Sequence, residues 1–561
     1  MSTPRPAIVV VILAVVLGVS LILAAAAFAA DGVRVIPLPV GTPDPGQLEP
    51  EVSGSYLAYT STNPAADLSD ESHIALKYLG DDSAPYIIPT PDSPPYGIPD
   101  FKDMEPALFA YESEIYVIWT RVRLAEPWDT HLMIWKGTHN IPMVGGPATF
   151  IPDAGYPKTF IQGPESPVAY QSAASIGLVR RGAEEHVVAA WEDTRDTCPG
   201  VPEVFWLDLT DEPSWSATSS GLPVDSAGVL GRGQHLPTVS YNSIFWLDDR
   251  FSWWDDGNLT DTAVYRMNMA TLETAYYFRD TNHAYDNGFE FAPQATADGA
   301  LWLRTGPYGS GVWAPFIKPL SGSTHTLAPI VQPLSPATFT RADATSTGVA
   351  IAGKHANSLA TGDWDIFYFD SAAGVQVPVC DRSVSLPADE AYKNNQFDPA
   401  IGYASYAYRV VWMDQRDSTG EDTPDAKLYE AFVPTVSWTL RPSTILKLSA
   451  LRIRVTVKPD FTGEPVKLQR VTPVRQLGRT YYKPYGRGYL TTATMVAGAS
   501  NSESSVASLK WKPTTKGTYY LRMWFPGAAK YTYDGSTIAI GKLVAVPTVG
   551  SYSKVLKITV K

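Results

Sequence analysis

The segment "VVAAWEDTRD", Val187–Asp196, places a Trp two residues before an Asp and an Arg two residues after it. The chain repeats this pattern in "SIFWLDDRFS" from Ser243 and in "RVVWMDQRDS" from Arg409. Weaker copies occur in "SGSYLAYTS", "ESEIYVIWTRVR", "TADGALWLRTG" and "TSTGVAIAGK". The anchors Tyr59, Trp119, Trp191, Trp246, Trp302, Ile351 and Trp412 are spaced 60, 72, 55, 56, 49 and 61 residues apart. A period of that size constrains the fold more than any composition figure. A unit so short cannot bury an apolar face alone and must stack on its neighbours.

Most copies share an internal order. A short strand containing Pro comes first, as in "EPEVSG", "MEPALFA", "HLPTVSY", "FAPQATA" and "FDPAIGY". The Trp-bearing strand is second, and a third follows a polar loop: "HIALKYL", "HLMIWKG", "EVFWLDL", "AVYRMNM", "DIFYFDS" and "KLYEAFV". A short fourth strand closes several copies, as in "PYIIP", "NIPMV" and "VQVPV". Four antiparallel strands per unit, stacked radially, predict an all-β chain with a seven-bladed β-propeller over residues 31–435. The 47 Pro and 42 Gly, without long helical patterns, agree with an all-β chain rich in turns. The last copy ends after "KLYEAFVP" without a fourth strand, and "VRVIPLP" from Val33 has the character to supply it and close the ring.

With its Trp-Asp-Arg turn and following apolar strand, "VVAAWEDTRDTCPGVPEVFWLDL" resembles the β-propeller repeats of prokaryotic cell-surface proteins. It is similar, more distantly, to the TolB-type propeller repeat. The resemblance extends over about residues 31–435. It implies the fold and a cell-surface setting, and it implies no particular activity.

Charge divides the chain. Residues 436–561 hold 20 Lys and Arg against 4 Asp and Glu, whereas residues 30–435 hold 23 against 53. Balances of +16 and −30, with Arg5, account for the net −13. The basic part contains alternating strands and the segment "KGTYYLRMWFPGAAKYTY". Over residues 437–561 it resembles the Ig-like sandwich domains attached to bacterial surface proteins, without the cysteine pair of antibody domains. A basic domain of this kind suits anionic wall polymers or acidic glycans through salt-sensitive contacts, or a dock on its own acidic propeller.

Ala7–Ala30 carries no charge, Arg5 precedes it, and Ala27-Phe28-Ala29 is a small-x-small cleavage pattern. Residues 1–29 therefore read as a secretory signal. The apolar run is also long enough to span a bilayer if uncut, which would make residues 7–30 the chain's one membrane contact. Location is expected to be secreted or at the cell surface. Of the two cysteines, Cys198 and Cys380 fall on loops expected to lie well apart around the ring, so no disulfide is expected.

Each candidate site has a bland reading beside a functional one. Asp193, Asp248 and Asp414 are expected to accept turn amides, with Arg195, Arg250 and Arg416 across blade boundaries. The functional alternative makes these six a ring of charge around a ligand. Trp253 and Trp254, in "DDRFSWWDDGNLTDT", either stack on a sugar ring or cover a neighbouring blade. Asp417, Glu421, Asp422 and Asp425 offer oxygen ligands for calcium, as do Asp255, Asp256 and Asp261, without EF-hand spacing. No other cofactor is expected.

Enzyme signatures are sparse. There is no H-E-x-x-H and no G-x-S-x-G. The leading expectation is a non-enzymatic binding protein whose partner is a cell-envelope polymer, a glycan or a surface protein. No nucleic-acid motif accompanies the basic charge. The alternative is an extracellular carbohydrate-active enzyme with a carboxylate pair, about 5–9.5 Å apart, in the propeller pore.

Overall fold

The computed structural model describes the strands and tight turns of the chain from residue 34 to residue 561. Residues 1–33 and the longer connections lie outside the described residues, among them 161–169, 195–201, 211–221, 249–262, 279–289, 321–338, 355–363, 381–394, 416–425 and 535–542. All regular structure among the described residues is β-strand. None of it is a helix long and apolar enough to cross a membrane.

The first sheet orders Gln47–Ser53, Tyr56–Thr62, Ser72–Tyr78 and Tyr86–Ile87, all antiparallel. The next repeats that order with Phe101–Tyr111, Glu114–Arg123, Glu126–Asn140 and Thr149–Pro152. Here the third strand runs on to Asn140, and the fourth is Thr149–Pro152 in place of "NIPMV". The pattern continues in the sheets that begin with Gln171–Arg181, Gln234–Ser240, Glu290–Thr296, Phe339–Thr345 and Gln396–Ala404. The first strand of each sheet packs on the first strand of the next, and Gln396–Ala404 packs back on Gln47–Ser53. A closed ring of radial antiparallel sheets is a β-propeller. In the last sheet, Arg34–Val35 pairs antiparallel with Lys427–Thr439, Arg34 opposite Glu430 and Val35 opposite Tyr429.

The second strands explain why the repeat reads as an apolar run. Ala407–Asp414 is buried at every position, because its sheet is covered by a neighbour on each face. Trp191 lies in one cluster with Ile118 and Ile134 of the preceding sheet and Phe205 of its own. Trp246 packs likewise against Val188 and Trp206, and Trp412 against Ile366 and Tyr368.

The Asp two residues after each Trp is not in a turn. Asp193, Asp248 and Asp414 are buried at 0%, 2% and 1% exposure. The Nε1 of Trp191, Trp246 and Trp412 donates to the carboxylate of its own motif at 3.2, 3.4 and 3.2 Å. The strand continues through the Asp before the chain turns, so the indole of the same strand reaches its carboxylate. Opposite each Asp in register stands a Gln: Gln171, Gln234 and Gln396. Gln171 Nε2 donates to Asp193 at 2.8 Å, while its Oε1 accepts the N–H of Leu132 from the preceding sheet at 3.3 Å. Gln234 accepts similarly from Val204 at 3.0 Å.

In the second sheet the pair is exchanged. Asp103 stands in the Gln position and Arg121 in the Asp position, joined by two hydrogen bonds of 2.7 and 2.8 Å. Glu290 opposite Arg304 follows the same exchange in register. Asp103 is thus held by Arg121 across the strand pair as Asp193 is by Gln171.

Lys427–Thr439 leaves the last propeller sheet and enters a second unit, where Thr435–Thr439 pairs with Arg454–Lys458. Two sheets face each other there. One contains Leu451–Lys458 and Ser505–Trp511, and the other Pro465–Gln476, Gly517–Phe525 and Leu556–Val560. Val455, Leu509, Leu468, Leu521 and Ile558 from both sheets share one core, which makes the unit a β-sandwich.

Candidate functional site

The first strands line the centre of the ring. Each slips register once, between Leu48 and Glu51, Met104 and Ala107, Ser172 and Ser175, His235 and Thr238, Phe291 and Gln294, Phe339 and Ala342, and Phe397 and Ala400. Such a β-bulge inserts a residue and re-aims its side chain. The Pro of the sequence repeat sits in five of these bulges, as Pro50, Pro106, Pro237, Pro293 and Pro399. A bulge is one of the few sheet positions that does not need the N–H that Pro lacks. The preceding residue takes a left-handed backbone at Glu49 (φ 50), Glu105 (φ 53), Leu236 (φ 48) and Asp398 (φ 47), as does Ala173 (φ 49). Carboxylate side chains in so strained a conformation mark a place to look for function.

The ring encloses a channel of about 280 Å³ lined by both polar and apolar groups, among them Glu51, Ser175, Thr238, Phe109, Ile401 and Tyr403. Next to it a cavity of about 50 Å³ is lined by Glu49, Glu51, Gln294, Asp343 and Asp398 with Pro50 and Pro399. Four carboxylates from three sheets thus share one small polar recess. All four are half-buried.

Glu49 Oε2 accepts from Thr60 Oγ1 and, across the sheet boundary, from the N–H of Glu105, both at 2.8 Å. Asp343 accepts from Ala344 N–H through Oδ1 and from Ile401 N–H of the neighbouring sheet through Oδ2, both at 2.7 Å. These two acids therefore hold adjacent sheets in register. Glu51 and Asp398 complete the recess beside them. Such an array gathers four carboxylates beside the central channel.

Of the residues singled out in the sequence, Asp193, Asp248 and Asp414 are buried and bonded to the indole of their own strand. Arg195, Arg250, Arg416, Trp253, Trp254, Asp417, Glu421, Asp422 and Asp425 lie outside the described residues, as do Asp255, Asp256, Asp261 and Cys198. Among the described residues there is no group of three or more His, Cys, Asp and Glu able to hold a metal ion. The recess acids escaped the sequence reading. The signal that finds Glu49 and Asp398 is the residue before the repeated Pro, in "LEPEV" and "FDPAI".

No family model matches the sequence. No curated protein is detectably similar to it. Among solved structures, a Trypanosoma rangeli sialidase aligns over 92% of this chain and 92% of its own, at 9% identity and a TM-score of 0.35. The α-L-arabinofuranosidase Arb93A of Fusarium graminearum aligns over 57% of this chain and 92% of its own, at 11% identity and a TM-score of 0.31. Oligopeptidase B of Trypanosoma brucei aligns over 70% of this chain, at 11% identity and a TM-score of 0.30, and the alignment spans 55% of the oligopeptidase. Against the expectation of a protein without enzymatic activity, these three solved structures are all enzymes by name, two of them glycosidases.

Proposed function

We propose that the chain is an extracellular carbohydrate-active enzyme of the glycoside hydrolase type, working at the axis of a seven-bladed propeller that carries an Ig-like sandwich. The observation that carries this reading is the recess lined by Glu49, Glu51, Asp343 and Asp398 beside the central channel. Hydrolysis of a glycosidic bond needs two carboxyl groups, one to protonate the leaving oxygen and one to activate water or attack the anomeric carbon. Glu51 and Asp398 are assigned as that pair, on opposite sides of the recess-lining sheets' junction. Glu49 and Asp343 are assigned as positioning residues, since amide donors from adjacent sheets hold them. The signal read in residues 1–29 would place the enzyme outside the cell, where a polymeric glycan is accessible.

The test is hydrolysis of a panel of nitrophenyl glycosides and reduced polysaccharides by the intact protein and by E51Q, D398N, E49Q and D343N. The reading expects E51Q and D398N to lose at least about a hundredfold in kcat, the scale of one general acid or base, with unchanged thermal unfolding. E49Q and D343N are expected to lose stability first. Activity that survives both E51Q and D398N, or a panel with no substrate turned over, overturns the assignment.

A further inference from the structure

The sandwich strands Leu451–Lys458 and Ser505–Trp511 alternate between the core and the surface. Leu451, Ile453, Val455 and Val457 enter the core together with Ala507, Leu509 and Trp511. Arg452, Arg454 and Thr456 therefore share the outer face of the sheet with Val506, Ser508 and Lys510. Register makes them neighbours: Arg452 stands opposite Lys510, and Arg454 stands between Ser508 and Thr439. Ser437 joins the same face opposite Thr456. Arg452, Arg454, Lys510, Ser437 and Ser508 are all exposed. Paired strands lie about 5 Å apart and alternate residues about 7 Å apart, so the three cations and their hydroxyl neighbours form one patch.

This patch has no acid of its own. Neither strand contains Asp or Glu, and residues 436–561 hold only 4 of them against 20 Lys and Arg. Among the described residues Arg452, Arg454 and Lys510 form no ion pair; the described ion pairs lie in the propeller. The acidic propeller leaves the patch open. Lys458 stands opposite Thr435, where the chain leaves the propeller, and Arg454 and Arg452 lie successively farther out along the strand. The other sheet makes a contact back to the propeller, where Tyr552 packs against the apolar cluster of the last propeller sheets. Exposed cations without an acid partner draw an anion from outside the chain.

We propose that this face binds an acidic polysaccharide laid across the sheet, its carboxylates on Arg452, Arg454 and Lys510 and its hydroxyls on Ser437, Thr456 and Ser508. A guanidinium presents a planar fork that matches a carboxylate with two hydrogen bonds. The Ser and Thr hydroxyls beside it both donate and accept, as sugar hydroxyls do. The outward side chains of the two strands include no aromatic ring, so the patch lacks the stacking platform that single-stranded nucleic acids use. Cations spaced at about 5–7 Å match charges repeated along a polymer better than one small anion. The surface shares no residue with the channel recess, so its binding is independent of hydrolysis.

The experiment is calorimetric titration of the full-length protein with polygalacturonate, neutral dextran and oligothymidylate at low and high salt. Polygalacturonate is expected to bind and to weaken as salt rises. Dextran and oligothymidylate are expected to bind at least about tenfold more weakly. R452Q, R454Q and K510Q change exposed positions and should each weaken polygalacturonate about two- to fivefold. The triple variant should weaken it at least about tenfold. K557Q removes the same charge from an exposed position on the other sheet and should leave binding unchanged. Absence of polygalacturonate binding, a triple variant that binds like the parent, an equal loss in K557Q, or equal binding of dextran or oligothymidylate overturns the proposal.

Discussion

The side-chain Oε1 of Gln47 accepts the backbone N–H of Leu428 at 2.8 Å, joining residues 381 positions apart. Its Nε2 meets the hydroxyl of Tyr59 at 3.3 Å, and the Gln is 0% exposed. One amide thus ties the first sheet of the ring to the last. Replacing it with Ala leaves a buried backbone donor unpaired, a loss of about 1–3 kcal/mol. Urea unfolding of Q47A should show that loss in the midpoint, and an unchanged midpoint would remove Gln47 from the closure.

Asp193 is expected to be at least as sensitive. D193A strands two buried donors, the Trp191 indole and the Gln171 amide. The expected loss is about 2–4 kcal/mol, at one unsatisfied donor each. D193N retains an acceptor and should fall between D193A and the parent in the same denaturation series. If D193N matches the parent, the charge on Asp193 adds nothing to the two hydrogen bonds.

Gly177 measures how closely the first strands approach each other around the channel. A Cβ at this position would stand 2.7 Å from the carbonyl oxygen of Val239 in the next sheet. Backbone cannot yield as a side-chain tip can, so G177A is expected to cost about 1–3 kcal/mol through overpacking. Thermal unfolding at neutral pH checks this, and a parent-like Tm would mean that the two sheets can part without cost.

Alkaline pH should unfold the propeller through its buried tyrosines. Burial pushes the Tyr56 phenol up to about 12, and it raises those of Tyr59, Tyr86 and Tyr277 as well. An unfolded Tyr ionises near pH 10. Between about pH 10 and 12 the unfolded state therefore releases protons that the folded state retains, and stability present below pH 10 is lost as pH rises. Denaturant midpoints measured from pH 8 to 11.5 should fall above pH 10, less steeply in Y56F. A flat profile would show that these phenols ionise in the folded state as readily as in water.

Much of the propeller was legible in the sequence because its determinants are local and repeated. A continuous apolar run and the Trp anchor mark the second strand wherever both of its faces are covered, as at Trp191 and Trp412. The Pro of "LEPEV", "HLPTV" and "FDPAI" marks the bulge, since Pro tolerates a position that makes no ladder bond. The Gln two positions ahead of the bulge residue, in "QLEP", "QHLP" and "QFDP", was equally visible. Its meaning was hidden, because its partners, Leu428 for Gln47 and Val204 for Gln234, lie on other strands.

Local chemistry by itself therefore determined strand type, repeat length and the separation of an acidic from a basic part. Only the tertiary structure decided which acids meet. Glu49 lies 294 and 349 residues before Asp343 and Asp398, and the three become neighbours because closing the ring fixes the first strands around one axis. The position of Lys467 opposite Trp524 in the sandwich was likewise set by register. Side chains on adjacent strands become neighbours through pairing about 5 Å apart, a relation that no single segment encodes.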